Sequence, residues 1–283
     1  MIDKADAGEI PRLRFASLGM TSSFKHELRK SESRQSSNPR NPRNPRSRQM
    51  FTKTYAHIFF DLDHTLWDFE SNSKAAIAAL FTKHELNALV GTDADVFFTE
   101  YSRINEHYWQ QFHRGEIDRE TLRYIRFRKT LEHFRCVIKE GLCDALAHDY
   151  IELLPLQNHL LPNAETTLDY LSAKYELHLI TNGFEKVQMQ KISKSGLQRY
   201  FKHIVTSENA GFSKPQKEIF DHALSISGGT LNNSIFIGDS PEADIQGAIN
   251  AGMDHIHYNP LNKPCDITAM HCITDLAELK SLL

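Results

Sequence analysis

Short apolar runs set at intervals along the chain constrain its fold more than any other feature. They are Ile58-Phe59-Phe60, Leu177-His178-Leu179-Ile180, His203-Ile204-Val205, Ser234-Ile235-Phe236-Ile237 and His255-Ile256-His257-Tyr258. Runs of this length, rich in Ile, Phe and Val, read as buried strands. Helical patterns separate the last four. Strands alternating with helices predict an α/β fold with a parallel sheet and helices on both faces. In such a sheet ligands bind outside the carboxyl ends of the strands. The polar residues that end each run are therefore the first candidates for chemistry.

The first run delivers Asp61-Leu62-Asp63-His64-Thr65, two carboxylates at i and i+2. One can attack or hold a metal, and the other can move protons. The same residues also fit an acidic turn, or a helix cap made by Thr65 or Asp68. The second run ends at Thr181-Asn182-Gly183. A hydroxyl and an amide there can donate to an oxyanion, or Asn-Gly can simply form a turn. Lys214, before Pro215, offers a positive charge for a phosphoryl group; a solvated lysine at a helix start is the plainer alternative. The fourth run ends at Gly238-Asp239-Ser240, with Asp244 five residues after Asp239. Asp244 is either part of an acidic site or a helix-start acid that suits the dipole.

Between the first two runs, residues 68–156 carry almost no strand signal. Ser73–Val90 is amphipathic, and Thr92-Asp93-Ala94-Asp95 resembles a capping box for a helix running toward His113 and ended by Gly115. Asp118 caps a further helix through Arg135, and another covers Gly141–Leu153. Residues 1–50 are rich in Ser, Arg, Asn and Pro, with three successive Asn-Pro-Arg triplets from Asn38 to Arg46. Such a segment cannot bury enough apolar surface to fold, so it reads as a disordered basic extension or as residues upstream of the true start at Met50. Its basic character would also suit nucleic acid. Its acids Asp3, Asp6 and Glu9 argue against a transit peptide.

The chain has 283 residues, 40% hydrophobic and 24% charged, enough for one or two domains with a sizeable core. A net charge of -3 supplies no global basic field, so nucleic acid is not expected as a partner of the whole. Cys136, Cys143, Cys265 and Cys272 match no common zinc spacing and read as reduced thiols in a cytoplasmic protein. No apolar stretch approaches the roughly 18 residues needed to span a membrane. The oligomeric state stays open between monomer and dimer.

Taken in order, an acid pair, a hydroxyl-amide, a lysine and a second acid group give this chain its resemblance to the haloacid dehalogenase-like hydrolases. The four motifs match at Asp61–Thr65, Thr181, Lys214 and Asp239 with Asp244, and the resemblance covers residues 54–260. It implies a Rossmann-like core over residues 51–67 and 157–283, with residues 68–156 as an inserted α-helical cap. It also implies Mg²⁺-dependent phosphoryl transfer. Asp61 is then the nucleophile that forms an aspartyl-phosphate, and Asp63 protonates the leaving oxygen and later deprotonates water. Asp61, the Asp63 main-chain carbonyl and Asp239 hold Mg²⁺, with Asp244 supporting its water shell. Thr181, the Asn182 main-chain amide and Lys214 bind the phosphoryl oxygens. Such roles answer a physical need, since an anionic nucleophile meeting an anionic phosphoryl group requires positive charge beside it. The dehalogenase branch lacks an acid two residues after the nucleophile, because a departing halide needs no proton.

A narrower resemblance is to the pyrimidine 5′-nucleotidases of the same superfamily. Trp109, His113–Ile117, Arg126-Phe127, Leu160–Pro162, Thr181–Phe184 with Gln188, Ser207-Glu208, Gly211 and Asp244–Ala248 carry it. It implies a small phosphate monoester as substrate, a nucleoside monophosphate foremost. A sugar-phosphate phosphatase, a phosphomutase, a dehalogenase and a non-catalytic module are the alternatives. Trp67, Tyr108, Trp109 and Phe112 would either stack on a base or fill a core. Arg123 and Arg126 would either line the cleft or lie on a helix surface.

Overall fold

The computed structural model describes residues 53–264 and 266–283. The expectation for residues 1–50 therefore lies outside the described residues. Six strands form one parallel sheet: β1 (His57–Phe60), β2 (Glu176–Thr181), β3 (Phe201–Thr206), β4 (Ser234–Gly238), β5 (Asp254–Tyr258) and β6 (His271–Ile273), ordered 3-2-1-4-5-6. Every pairing is parallel. This is the Rossmann-like order, with the topological switch at the central strand β1. All four β1 residues are buried because apolar layers cover both faces, which is why the run is apolar without alternation. On one face Phe59, Ile180, Val205 and Phe236 pack on α9 (Lys217–Ser227) and α10 (Gln246–Ala251). On the other, Ile58, Phe60 and Ile235 pack on α6 (Ala164–Ser172), Ile192 of α7 (Glu185–Lys194) and Leu279 of α11 (Leu279–Leu282). Between β3 and α9 lies the single turn α8 (Ser207–Ala210).

Between β1 and α6 run five helices: α1 (Phe69–Lys83), α2 (Leu86–Val90), α3 (Ala94–His113), α4 (Arg119–His133) and α5 (Leu142–Leu153). Their core of Ile77, Phe97, Tyr101, Phe127 and Tyr150 is continuous with that under the sheet. The amphipathic stretch 73–90 is not one helix. It breaks at Glu85, whose φ is 50°, and the side chains of Lys83 and His84 both bond Asp149 of α5 at 2.8 and 2.7 Å. The break turns Leu86 and Val90 inward. The cap of α3 is Asp93 rather than Thr92, accepting from the Val96 N–H at 2.9 Å, while Asp95 instead bonds Lys74. Asp118 caps α4 as expected, but the helix stops at His133, ahead of Arg135 at φ 55°. Strand β6 has three residues and polar neighbours, and no periodicity announces it. Cys136 and Cys143 are free thiols. Among the described residues no helix is long and apolar enough to cross a membrane.

Candidate active site

The carboxyl ends of β1, β2 and β4 bring the run-ending residues together. Asp61 follows β1, and its N–H continues the ladder by donating to the Ile237 carbonyl at 2.9 Å. Its carboxylate, 7% exposed, accepts from the Lys214 ammonium at 2.5 Å. Lys214 reaches in from the loop before α9 and donates further to Asp244 at 2.6 Å and to the Ile180 carbonyl at 2.9 Å. It is thus a fully bonded buried lysine, and the solvated alternative is overturned. Burial alone would push its pKa down, but Asp244 and Asp61 outweigh that and hold it above the usual lysine range.

Asp244 sits on a short π-helical turn, Pro241–Ile245, whose first residues are held by the Ser240 side chain. Its second carboxylate oxygen accepts from the Ser240 N–H at 3.0 Å. The approach is so close that a Cβ on Gly238 would lie 2.4 Å from that carboxylate, so glycine is required where β4 ends. Asp239 follows, bonded by the Thr65 hydroxyl at 3.1 Å, while its carbonyl lies 3.0 Å from His257 Nε2. Thr65 is therefore tied to the site and caps no helix; Asp68 caps α1.

Asp61, Asp239 and Asp244 offer carboxylate oxygens within 4.8 Å of one another. Burial pushes the Asp61 carboxyl up to about 7; Lys214 opposes the rise and Asp244 adds to it. Burial, then Asp244 and Asp61, push Asp239 well above the carboxylate range. Three crowded carboxylates around one ammonium leave excess negative charge with hard oxygen donors. That donor set fits a divalent cation of the magnesium type.

Asp63 points elsewhere. Its carboxylate accepts from Lys191 at 2.7 and 3.0 Å and from Gln188 at 2.9 Å, both on α7. Gln188 also donates to the Thr181 hydroxyl at 2.6 Å, joining the acid to the end of β2. Lys191 is 3% exposed and lies 4.4 Å over the Trp67 ring. Gly183 permits the arrangement, because a Cβ there would sit 2.4 Å from Gln188. The Asn182 side chain is not aimed at an oxyanion. It exchanges two bonds with the Lys214 main chain, at 2.9 and 2.8 Å, and so fixes the loop that carries the lysine.

The sequence reading missed Lys191 altogether and gave Gln188 no role. Their spacing of three residues puts both on one helix face, a signal weakened by the ordinary solvated lysines around them. His113 entered only as part of the nucleotidase resemblance and was likewise given no role. It ends α3, its Nε2 is buried without a hydrogen-bond partner among the described residues, and it lies near enough to the site to feel its charges. Burial, then Lys214, push its pKa down to about 4. Trp109 and Phe112 pack on Phe184 at 5.6 and 5.8 Å, just beyond Gly183. Trp67 is wholly buried, and Arg126 is buried inside the helical insert, donating to Asn105 and to the Leu122 carbonyl. Neither lines a cleft.

This fold and this order of site residues agree with a known family. The sequence profile of the haloacid dehalogenase-like hydrolases fits residues 55–252, and the chain belongs to that family. Pyrimidine 5′-nucleotidase PynA of Streptococcus pneumoniae is 33% identical over 73% of this chain and 84% of its own length. Pyrimidine 5′-nucleotidase YjjG of Escherichia coli is 31% identical over 80% of this chain and 96% of its own. The magnesium-bound crystal structure of the HAD-hydrolase YfnB from Bacillus subtilis aligns with a TM-score of 0.73 at 29% identity. It covers 81% of this chain and 99% of that one.

Proposed function

We propose that the protein is a Mg²⁺-dependent phosphatase that hydrolyses phosphate monoesters through an aspartyl-phosphate, with pyrimidine nucleoside 5′-monophosphates as preferred substrates. The observation that carries this reading is the convergence of Asp61 and Asp239 at the ends of β1 and β4 with Lys214 from the loop before α9, and a second acid, Asp63, two residues from the first. Asp61 attacks phosphorus, and the bond from phosphorus to the ester oxygen breaks. Asp63 gives that oxygen its proton, so the product leaves as an alcohol. Asp63 then takes a proton from water as the water attacks the aspartyl-phosphate. The bond from phosphorus to Asp61 breaks, and inorganic phosphate is released.

Lys214 holds the nucleophile in line through its bonds to Asp61 and Asp244, and turns its third N–H from the Ile180 carbonyl to a phosphoryl oxygen when substrate binds. The Thr181 hydroxyl and the Asn182 main-chain amide complete the phosphoryl cradle. Asp61, the Asp63 main-chain carbonyl and Asp239 would hold Mg²⁺, which when bound offsets the repulsion between carboxylate and phosphoryl group. Asp244 anchors this set. Residues 68–156 serve as a cap over the strand ends, a role supported by the packing of Trp109 and Phe112 on Phe184. His113, neutral at neutral pH, offers the substrate a hydrogen bond without adding charge. The pyrimidine preference is supported by the activities named for PynA and YjjG.

The test is phosphate release with Mg²⁺ from a panel of pyrimidine and purine monophosphates, sugar phosphates and an aryl phosphate. Pyrimidine monophosphates should turn over best, and Asp61→Asn should abolish release while circular dichroism stays unchanged. Preference for sugar phosphates would keep the chemistry and discard the nucleotidase assignment. Turnover by folded Asp61→Asn would discard the nucleophile.

A further inference from the structure

A second cluster of ligating atoms lies at the opposite end of the same strands. His57 opens β1 and Glu176 opens β2, and the two are register partners. His178 is two residues beyond Glu176 and so shares its face. The cluster is separated from Asp61 by the length of β1, roughly 13 Å. His57 Nδ1 lies 3.2 Å from His178 Nε2 and 3.5 Å from Glu176 Oε2. All three donor atoms fall within 4.8 Å of one another.

We propose that His57, His178 and Glu176 form a binding site for a borderline divalent cation of the Zn²⁺ class, distinct from the acidic site at the other end of the sheet. Ligands about 2.0–2.1 Å from a tetrahedral Zn²⁺ stand roughly 3.3–3.4 Å apart. Both distances from His57 Nδ1 bracket that edge length. Two imidazoles and one carboxylate are a donor set that Zn²⁺ favours and Mg²⁺ does not, and they leave a fourth position for water.

The surroundings keep the donors in place. The His178 ring is stacked between Phe59 and His203, at centroid distances of 4.7 and 5.4 Å, so its orientation is set by packing. Lys202 binds the other Glu176 oxygen at 2.7 Å and leaves Oε2 turned toward the imidazoles. Glu176 and Lys202 have side chains 45% and 53% exposed, which gives a cation a way in from solvent. A proton shared between His57 and His178 would satisfy that pair alone. Nor can one proton on His57 Nδ1 serve both His178 and Glu176 well, whereas a cation takes all three donors.

The experiment uses the untagged full chain, stripped with a chelator and titrated calorimetrically with Zn²⁺ in excess Mg²⁺. The titration is repeated in Asp239→Asn, which removes a ligand from the acidic site. One Zn²⁺ per chain should bind in both proteins. His57→Gln and Glu176→Gln should each weaken that binding by more than about tenfold, since losing even an outer-shell partner costs 10- to 100-fold. Both variants should keep their circular dichroism and their phosphatase activity. Zn²⁺ should raise the melting temperature of the wild type more than that of Glu176→Gln. The site is overturned if Zn²⁺ binding disappears in Asp239→Asn, or if both variants bind as the wild type does. A wild type that takes up no Zn²⁺ would leave only a His57–His178 hydrogen bond.

Discussion

Lys191 reaches the proposed chemistry only through the carboxylate it holds. Its ammonium is buried, faces the Trp67 ring and grips both oxygens of Asp63. Gln188 ties the same carboxylate to the Thr181 hydroxyl. Asp63, the acid proposed to transfer the proton, is therefore coupled to Thr181 at the end of β2 through two residues of one helix. Lys191→Met keeps the bulk and removes the charge and the donors. It should lower kcat about 10- to 100-fold, less than the roughly 10²- to 10⁴-fold of losing the acid–base itself, with little change in KM or circular dichroism. An unchanged kcat would show that Asp63 needs no such support. Asp63 itself was legible in the sequence because it lies two residues from Asp61. Lys191 was not, since 128 residues of chain separate it from its partner.

At the scale of elements, the strand ends were readable and the helix junctions were not. Strands β1, β2, β4 and β5 follow from apolar runs that any buried parallel strand requires. The break at Glu85 falls where Lys83 and His84 meet Asp149 of another helix, a contact no local pattern encodes. Arg126 is the sharper case. From its sequence surroundings it is an ordinary helical arginine. In the fold it joins α4 to α3 through Asn105 at 2.7 Å and lies over the rings of Tyr101 and Tyr150. Arg126→Ala leaves the Asn105 acceptor unpaired inside the insert. It should cost about 2–3 kcal/mol, the range for a buried bond to a charged group, measured by urea unfolding. A loss under about 0.5 kcal/mol would place Arg126 with surface residues.

Across the whole molecule, the acidic site ties stability to pH. Asp61 has a folded pKa of about 7 against an ordinary 3.8. A group raised in this way contributes stability that is complete below about pH 4 and is lost as the pH rises through about 7. The metal-free protein should therefore melt at lower temperature as the pH increases across that window. Mg²⁺, binding the folded state, should restore stability and do so more at pH 8 than at pH 5. Thermal melts at both pH values, with and without Mg²⁺, check this; equal Mg²⁺ shifts at the two would refute it.

The sequence by itself determined the α/β class, the helical insert and the polar residues that end the strands, and its resemblance to a family singled out Asp61, Asp63, Thr181, Lys214, Asp239 and Asp244 among them and the loops beyond. It could do so because strand burial and turn chemistry are local and leave a mark on neighbouring residues. Only the tertiary structure decided how those residues are used. It turned the Asn182 side chain onto the Lys214 loop, set Lys191 and Gln188 on Asp63, buried Trp67 and Arg126, and gathered His57, Glu176 and His178. Each of these contacts joins groups far apart in the chain. Their partners are chosen by which strands pair and which helix faces pack, and a single line of residues does not carry that information.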